Sequence, residues 1–334
     1  MPDFSTPNKR CIRQYYNKVL IRSLKETFDC NIIYYGLPSP DAEDVEAWID
    51  YISYVVAFQC RDYKKISTPD LPTDEVDKLI QKLNSWESAG KIDGYIVYDG
   101  YMEEVIFRGY DNSASGSIDY THDEHITLFN LDFCNSITSP QDYITKDGEK
   151  VTKYKLELID KILEFQQKVS NEADKFVMFL TISATYSGKD LQDFKKAHMH
   201  ELDKYNILEK NERNLLILKF FVESNLYDKI HENKYIAQFL PTIFYNGIQG
   251  ANMMQFAVMC IRPQEIKKQN GVHIKNQQIH DVINTLPICP DPKNNKFHVR
   301  DFAVGDMRSP QTNFMCEFCE SGNFKMYWND EDKA

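Results

Sequence analysis

Hydrophobic and polar positions alternate between two periods along this chain, and that alternation predicts its elements. Residues 9–28 repeat apolar side chains at helical spacing: Ile12, Tyr15, Tyr16, Val19, Leu20 and Leu24 fall on one stripe. Short apolar runs then alternate with helical patterns. Asn31–Tyr35 predicts a first strand, and Gly36-Leu-Pro-Ser-Pro-Asp41 a tight loop, because its prolines and glycine cannot continue a strand. A helix should follow, with Asp41 as its N-cap and Asp44 in its first turn. Tyr54–Cys60 predicts a second strand. Thr73 or Asp74 should cap the next helix, which stops at Gly90. Asp93–Tyr98 predicts a third strand, followed by a segment around 101–109 that reads as a short helix or an edge strand.

The second half continues the pattern. Residues 109–125 form a polar, turn-rich loop, and ITLFNLDFCNSIT (126–138) supplies a fourth strand with a polar tail. After a polar insert, a helix is expected over 153–169 and a fifth strand over 176–182. Helical patterns cover 191–202 and 209–222. Two apolar runs, 235–244 and 253–261, are separated by YNGIQGAN, whose Asn246-Gly247 and Gly250 signal an antiparallel hairpin. Strands alternating with helices predict a three-layer α/β protein with a mostly parallel sheet. The expected organisation is an N-terminal basic helix (1–30), a Rossmann-like domain (31–262) and a small C-terminal appendage (263–334).

Charge narrows the function classes. The net charge of −11 argues against a broad nucleic-acid-binding face. The first helix runs against that balance with Lys9, Arg10, Arg13, Lys18, Arg22 and Lys25, so a nucleic acid or protein partner is expected there if anywhere. No run of 18 apolar residues predicts a membrane span, and the first residues lack an apolar signal core, so a cytoplasmic protein is expected. The cysteines lie mostly in apolar runs, as reduced core thiols do.

Candidate chemistry concentrates at strand ends. Asp132 follows an apolar run and is flanked by Asn130 and Asn135, a placement that suits a carboxylate at the rim of a sheet. Asp99, with Glu103 and Glu104, forms an acidic cluster at the end of the third strand. If Asp99 and Asp132 met, they could hold a divalent metal for phosphoester hydrolysis. His122-Asp-Glu-His125 carries metal-donor atoms at loose spacing. His198 and His200 are two apart on a helix and point to different sides. Cys316 and Cys319 form one CxxC, which Cys289 with His280 or His298 could complete as a zinc site.

The element order ending in a hairpin resembles the class I S-adenosylmethionine-dependent methyltransferase fold over roughly 31–261. The resemblance implies a cofactor pocket lined by Gly36 after the first strand, Gln59 at the end of the second and Asp99 at the end of the third. It also implies catalytic residues Asn130, Asp132 and Phe133 in NLDFCN, where amino-methylating members carry Asn or Asp, two prolines and an aromatic residue. Here no proline is present, and GLPSPD has one glycine where the family has a glycine-rich loop. The implied function is methyl transfer from S-adenosylmethionine to an acceptor that includes nucleic acid among its candidates. An inactive methyltransferase-like scaffold and a metal-dependent nuclease or phosphoesterase are the alternatives.

Overall fold

The computed structural model describes residues 6–60, 75–113, 116–133, 135–145, 147–169, 175–247, 250–262, 278–300 and 302. Cys134, Cys316, Cys319 and most of the expected appendage lie outside these residues.

Nine hydrogen-bonded positions order the main sheet. Its parallel strands are β1 (Ile32–Gly36), β2 (Ile52–Gln59), β3 (Gly94–Asp99), β4 (Leu128–Asp132) and β7 (Lys175–Ser183). β10 (Asn252–Ile261) runs antiparallel against the whole of β7. On its other side β10 pairs with β8 (Ile236–Phe239) and β9 (Ile243–Asn246), two halves of one edge interrupted at Leu240-Pro241-Thr242. β11 (Ile288–Asp291) and β12 (Lys296–Val299) extend that edge through β9. Read across the core, the order is β3-β2-β1-β4-β7-β10-β8/β9. The last strand is thus inserted antiparallel between the fifth and sixth of the core. That is the strand order of the class I methyltransferase fold, so the Rossmann-like, mostly parallel sheet with a C-terminal hairpin is what the chain forms.

Two helical layers cover the sheet, because successive side chains of a strand point to opposite faces. Tyr34, Leu128 and Phe179 face one core, shared with α1 (Pro7–Ile12), α2 (Lys18–Phe28), α3 (Glu43–Trp48) and α4 (Glu75–Ser88). Tyr35, Phe129, Leu131 and Leu180 face the other, shared with α5 (Met102–Arg108), α6 (Lys155–Val169) and α9 (Lys210–Glu232). β5 (Pro140–Ile144) and β6 (Lys150–Tyr154) form a separate hairpin between β4 and α6, where the sequence suggested only a polar insert.

Several local expectations shift. Asp41 is not the cap of α3; the N-cap is Ala42, held in the left-handed region at φ 49°. The helix expected over 191–202 breaks at His198 into α7 (Lys189–Ala197) and α8 (Met199–Leu202), and α9 runs ten residues past its expected end at Val222 to Glu232. The ambiguous segment after β3 is a helix, closed by Gly109 at φ 84°. Between α1 and α2 the chain makes a π turn over Arg13–Asn17. The turn leaves Tyr16 and Asn17 buried, and they reach far along the chain. Tyr16 Oη donates to the Pro241 carbonyl at 2.9 Å, and Gln255 Nε2 donates to Asn17 Oδ1 at 2.7 Å.

The HDEH stretch is structural. Gln166, fully buried on α6, holds both Ile126 backbone groups (3.1 and 2.6 Å) and lies 3.0 Å from His125 Nδ1 and 3.2 Å from His122 Nε2. The two rings are spent on pinning the start of β4, and no group of three metal-donor residues occurs among the described residues.

Two outcomes follow for stability. Burial, reinforced by Lys175 and Arg262, lowers the His125 pKa from 6.5 to about 3. The fold therefore holds His125 neutral, and the unfolded chain binds a proton that the fold refuses. Stability should be full above pH 6.5 and fall as the pH drops toward 3, by about 2 kcal/mol at pH 5. Urea unfolding at pH 7 and 5 should show that loss, and His125→Gln should reduce it. At Gly36 an added Cβ would lie 2.2 Å from the Asn130 carbonyl oxygen. Gly36→Ala should push β1 from β4 and cost roughly 1–3 kcal/mol, read as a lowered unfolding midpoint.

Candidate active site at the sheet's switch point

Strand order reverses between β1 and β4, and ligands of open α/β sheets bind outside the strand ends at such a point. A cleft of about 280 Å³ opens there, under the ends of β1, β2, β3 and β4. Its floor includes Phe58, Gly100, Met102 and Phe133, and its near wall is the Leu37-Pro38-Ser39-Pro40 loop.

Alternation along β4 explains what reaches it. Asn130 and Asp132 share the face of Leu128, toward the N-terminal helices. Phe133 joins the opposite core with Phe129 and Leu131. The three residues expected to act together are thus split between two faces. On the helix side, Asn130 Nδ2 donates to Tyr34 Oη at 3.1 Å and to Asp44 Oδ2 at 3.0 Å. Both of its amide hydrogens are thereby used inside the fold. Asp44 also accepts from Arg13 Nε, and Glu43 Oε2 lies 3.4 Å from the same guanidinium. Burial works against the Arg13 charge, but Asp44, Glu43 and Asp132 outweigh it and raise its pKa. Asp132 Oδ2 accepts from Lys9 Nζ at 2.7 Å. Its other oxygen, Oδ1, is buried and receives no hydrogen bond from the described residues.

The first helix therefore turns two of its cations inward and pairs two more with surface acids. Lys9 and Arg13 enter the site, Lys18 reaches Asp50 at 3.7 Å and Arg22 reaches Glu26 at 4.0 Å. Of the six cations expected to form an outward face, Arg10 alone is classed as exposed.

On the far side of the cleft, Lys155 at the start of α6 donates to the Ser139 carbonyl at 3.1 Å. It lies 4.0 Å from Glu103 Oε1 and 5.5 Å from the Phe133 ring centroid. Burial pushes the Glu103 carboxyl up, against the Lys155 charge that lowers it. At the end of β2, Gln59 Nε2 donates to Glu75 Oε2 at 3.4 Å. Among the described residues the cleft thus carries five carboxylates, from Glu43, Asp44, Glu75, Glu103 and Asp132. Three cations oppose them: Lys9, Arg13 and Lys155.

Other expected site residues fall elsewhere. Gly36 sits inside the β1–β4 pairing rather than on the cleft wall, and its lack of a side chain is required by Asn130. Asp99 is buried at the end of β3. Its N–H donates to Asp111, and its carbonyl accepts from Asn112. β1 and β2 separate β3 from β4, so Asp99 and Asp132 stand about 14 Å apart in strand spacings and do not form a shared metal site. Glu104 is held by Arg108 at 2.7 Å. Cys289 and His298 are cross-strand partners on β11 and β12, while His280 lies on a separate short helix, Ile279–Ile283.

Glu75 and Lys155 were not foreseen as site residues; Glu103 was expected only as part of an acidic cluster with Asp99, and Lys9 and Arg13 only as part of a partner-facing basic helix. All five lie on helices whose docking only the tertiary structure reveals. The usable signal was positional: an acid opening the helix after β2 and cations in the first helix.

No protein-family model matches the chain, and no curated protein sequence does. Similar solved structures include TYW2 from P. horikoshii in complex with MeSAdo, at 11% identity and TM-score 0.34, covering 78% of this chain and 65% of that one. Trm1 from Pyrococcus horikoshii with S-adenosyl-L-methionine is 11% identical at TM-score 0.35, over 91% of this chain and 67% of that one. EvdMO1 is 10% identical at TM-score 0.37, over 77% of this chain and 44% of that one. The chain spans about two thirds of TYW2 and less than half of EvdMO1. Scores this low carry no argument about chemistry, and the fold assignment rests on the strand order itself. The chain is a class I methyltransferase-like α/β protein in architecture. Among its described residues no helix is long and apolar enough to cross a membrane.

Removing the central cation should be costly. Arg13 is buried against two acids, so Arg13→Met should destabilise by about 3 kcal/mol, because the carboxylates stay behind unpaired. Chemical denaturation of Arg13→Met, Asp44→Asn and the double variant should show the double losing less than the sum.

Proposed function

We propose that the protein is a divergent S-adenosylmethionine-dependent methyltransferase with Asp132 facing the acceptor. The observation that carries this reading is the acid-rich cleft at the switch point, with one Asp132 oxygen buried at its edge and receiving no hydrogen bond from the described residues. The cofactor has a sulfonium, an amino-acid end and a ribose diol. Among the described residues, five carboxylates against three cations favour a ligand of net positive charge. Glu75 and Gln59, at the end of β2, would hold the ribose hydroxyls; Gly100 and Met102 would border the ring at the end of β3. Phe133 and Phe58 would supply apolar walls.

When bound, S-adenosylmethionine supplies an electrophilic methyl group. The residues of this chain do the rest by alignment, which is the main requirement of a direct displacement. The Asp132 carboxylate would accept an N–H of the acceptor and hold it at the cleft edge. Asn130, with both hydrogens committed to Tyr34 and Asp44, would act by fixing the Asp44–Arg13 pair rather than by touching substrate. Lys155 would hold Phe133 in place.

A scaffold that does not bind the cofactor is favoured by one feature. Gly36 is explained by strand contact alone, and the Leu37–Pro40 loop offers no glycine to bring backbone close to a ligand. Calorimetric titration with S-adenosylhomocysteine separates the two. Binding by the wild type, weakened about tenfold (~1.4 kcal/mol) in Glu75→Gln, is the expected result. No heat of binding in the folded wild type would overturn the methyltransferase reading and leave the scaffold.

A further inference from the structure

Lys9 stands in an unusual place for a surface-helix lysine. Its side chain is only 17% exposed, and its ammonium lies 2.7 Å from Asp132. It lines both the main cleft and a small inner cavity of about 20 Å³ that Asp132, Asn130 and Arg13 also border. The carboxylate it meets has one oxygen occupied and one buried oxygen to which no described residue donates. Asp132 is therefore a two-oxygen cation receptor half-filled from within the chain.

The remaining cations of the cleft cannot take over from Lys9 without leaving other acids. Arg13 also acts on Asp132, but its guanidinium is engaged by Asp44 and Glu43. Lys155 is anchored to Ser139 beside Glu103 on the opposite wall. If Lys9 withdrew, the described residues of the cleft would set five carboxylates against two cations. An incoming cation that donates hydrogen bonds would restore the balance and could fill both Asp132 oxygens. Lys9 itself shows the chemistry that fits: an ammonium on an unbranched alkyl stem, whose three donors serve a carboxylate from one direction. The helix end that carries it is short, with Lys9 N capped by Thr6 Oγ1 at 3.2 Å and Asn8 Nδ2 donating to the Asn246 carbonyl at 2.9 Å.

We propose that Lys9 occupies the acceptor position in cis, and that the acceptor displacing it presents a primary alkylamine, which binds Asp132 as its ammonium and must release one proton to solvent before its nitrogen can attack. This rests on the proposed role of Asp132 as the acceptor-facing carboxylate, but it is tested without the cofactor. Cadaverine and Nα-acetyl-lysine amide, a free diamine and a lysyl side chain, are titrated calorimetrically into wild type, Lys9→Met, Lys9→Arg and Lys9→Met/Asp132→Asn. Lys9→Met should bind at least one amine about tenfold more tightly than wild type. Which amine gains identifies the source of the group. Lys9→Arg should resemble wild type, and the double variant should lose the gain. Tetramethylammonium, which cannot donate, should gain nothing. Equal affinity in wild type and Lys9→Met, or a gain that survives Asp132→Asn, overturns the proposal. If Lys9→Met does not fold, amide hydrogen exchange of the wild-type chain decides: saturating amine should speed exchange over Lys9–Ile12, and an unchanged rate overturns the proposal. Homocysteine-adduct titration is read separately. S-adenosylhomocysteine binding without amine binding sinks this inference and keeps the methyltransferase reading; amine binding without S-adenosylhomocysteine binding supports the cation site and sinks that reading.

Discussion

The arrangement around β4 depends on one electrostatic constraint: carboxylates crowded at a buried sheet rim need counter-charges from elsewhere in the chain. Asp44 and Glu43 on α3 and Asp132 on β4 meet on the same side of the sheet. Without Lys9 and Arg13 they would repel one another in a poorly solvated corner. The first helix is thus part of the site's chemistry as well as of its packing. The π turn over Arg13–Asn17 serves both purposes, since it seats Tyr16 in the core while Arg13 reaches the acids and its carbonyl accepts from the Trp48 indole at 3.0 Å. Extra residues of this kind inside helices are often kept where a side chain must be re-aimed.

Much of the architecture was legible because the sheet is built from short apolar runs separated by turn residues and amphipathic helices. The alternation in β1, β2, β4 and β7 and the hairpin signal at Asn246-Gly247 sufficed to predict the fold class. The sequence did not show that Leu240-Pro241-Thr242 splits the sixth core strand, because its flanks are continuous in hydrophobicity. The β5–β6 hairpin escaped for the opposite reason: its residues are mostly exposed and polar, so no burial pattern marks it.

The site was legible in location and less so in membership. Asp132 at the end of an apolar run was readable because a carboxylate there must find partners. Its partner, Lys9, lies 123 residues away and looked like one of six equivalent surface cations. Asn130 and Asp132 seemed to form a unit with Phe133, but the strand's two-residue period divides them between layers. Asp99 seemed a natural companion for Asp132 until the sheet order placed β1 and β2 between them. Pairing across sequence distance, rather than local composition, decides each of these cases.

Tyr16 and Asn17 have a further consequence for how the chain is assembled. Their partners, Pro241 and Gln255, are 225 and 238 residues downstream. This helix can therefore dock completely only after the last core strand exists. Contacts of such separation slow folding and leave their apolar surface waiting in the meantime. The stripe of Ile12, Tyr16, Leu20 and Leu24 waits with them. The switch-point cleft, which that helix closes with Lys9 and Arg13, is then among the last features of the molecule to be completed.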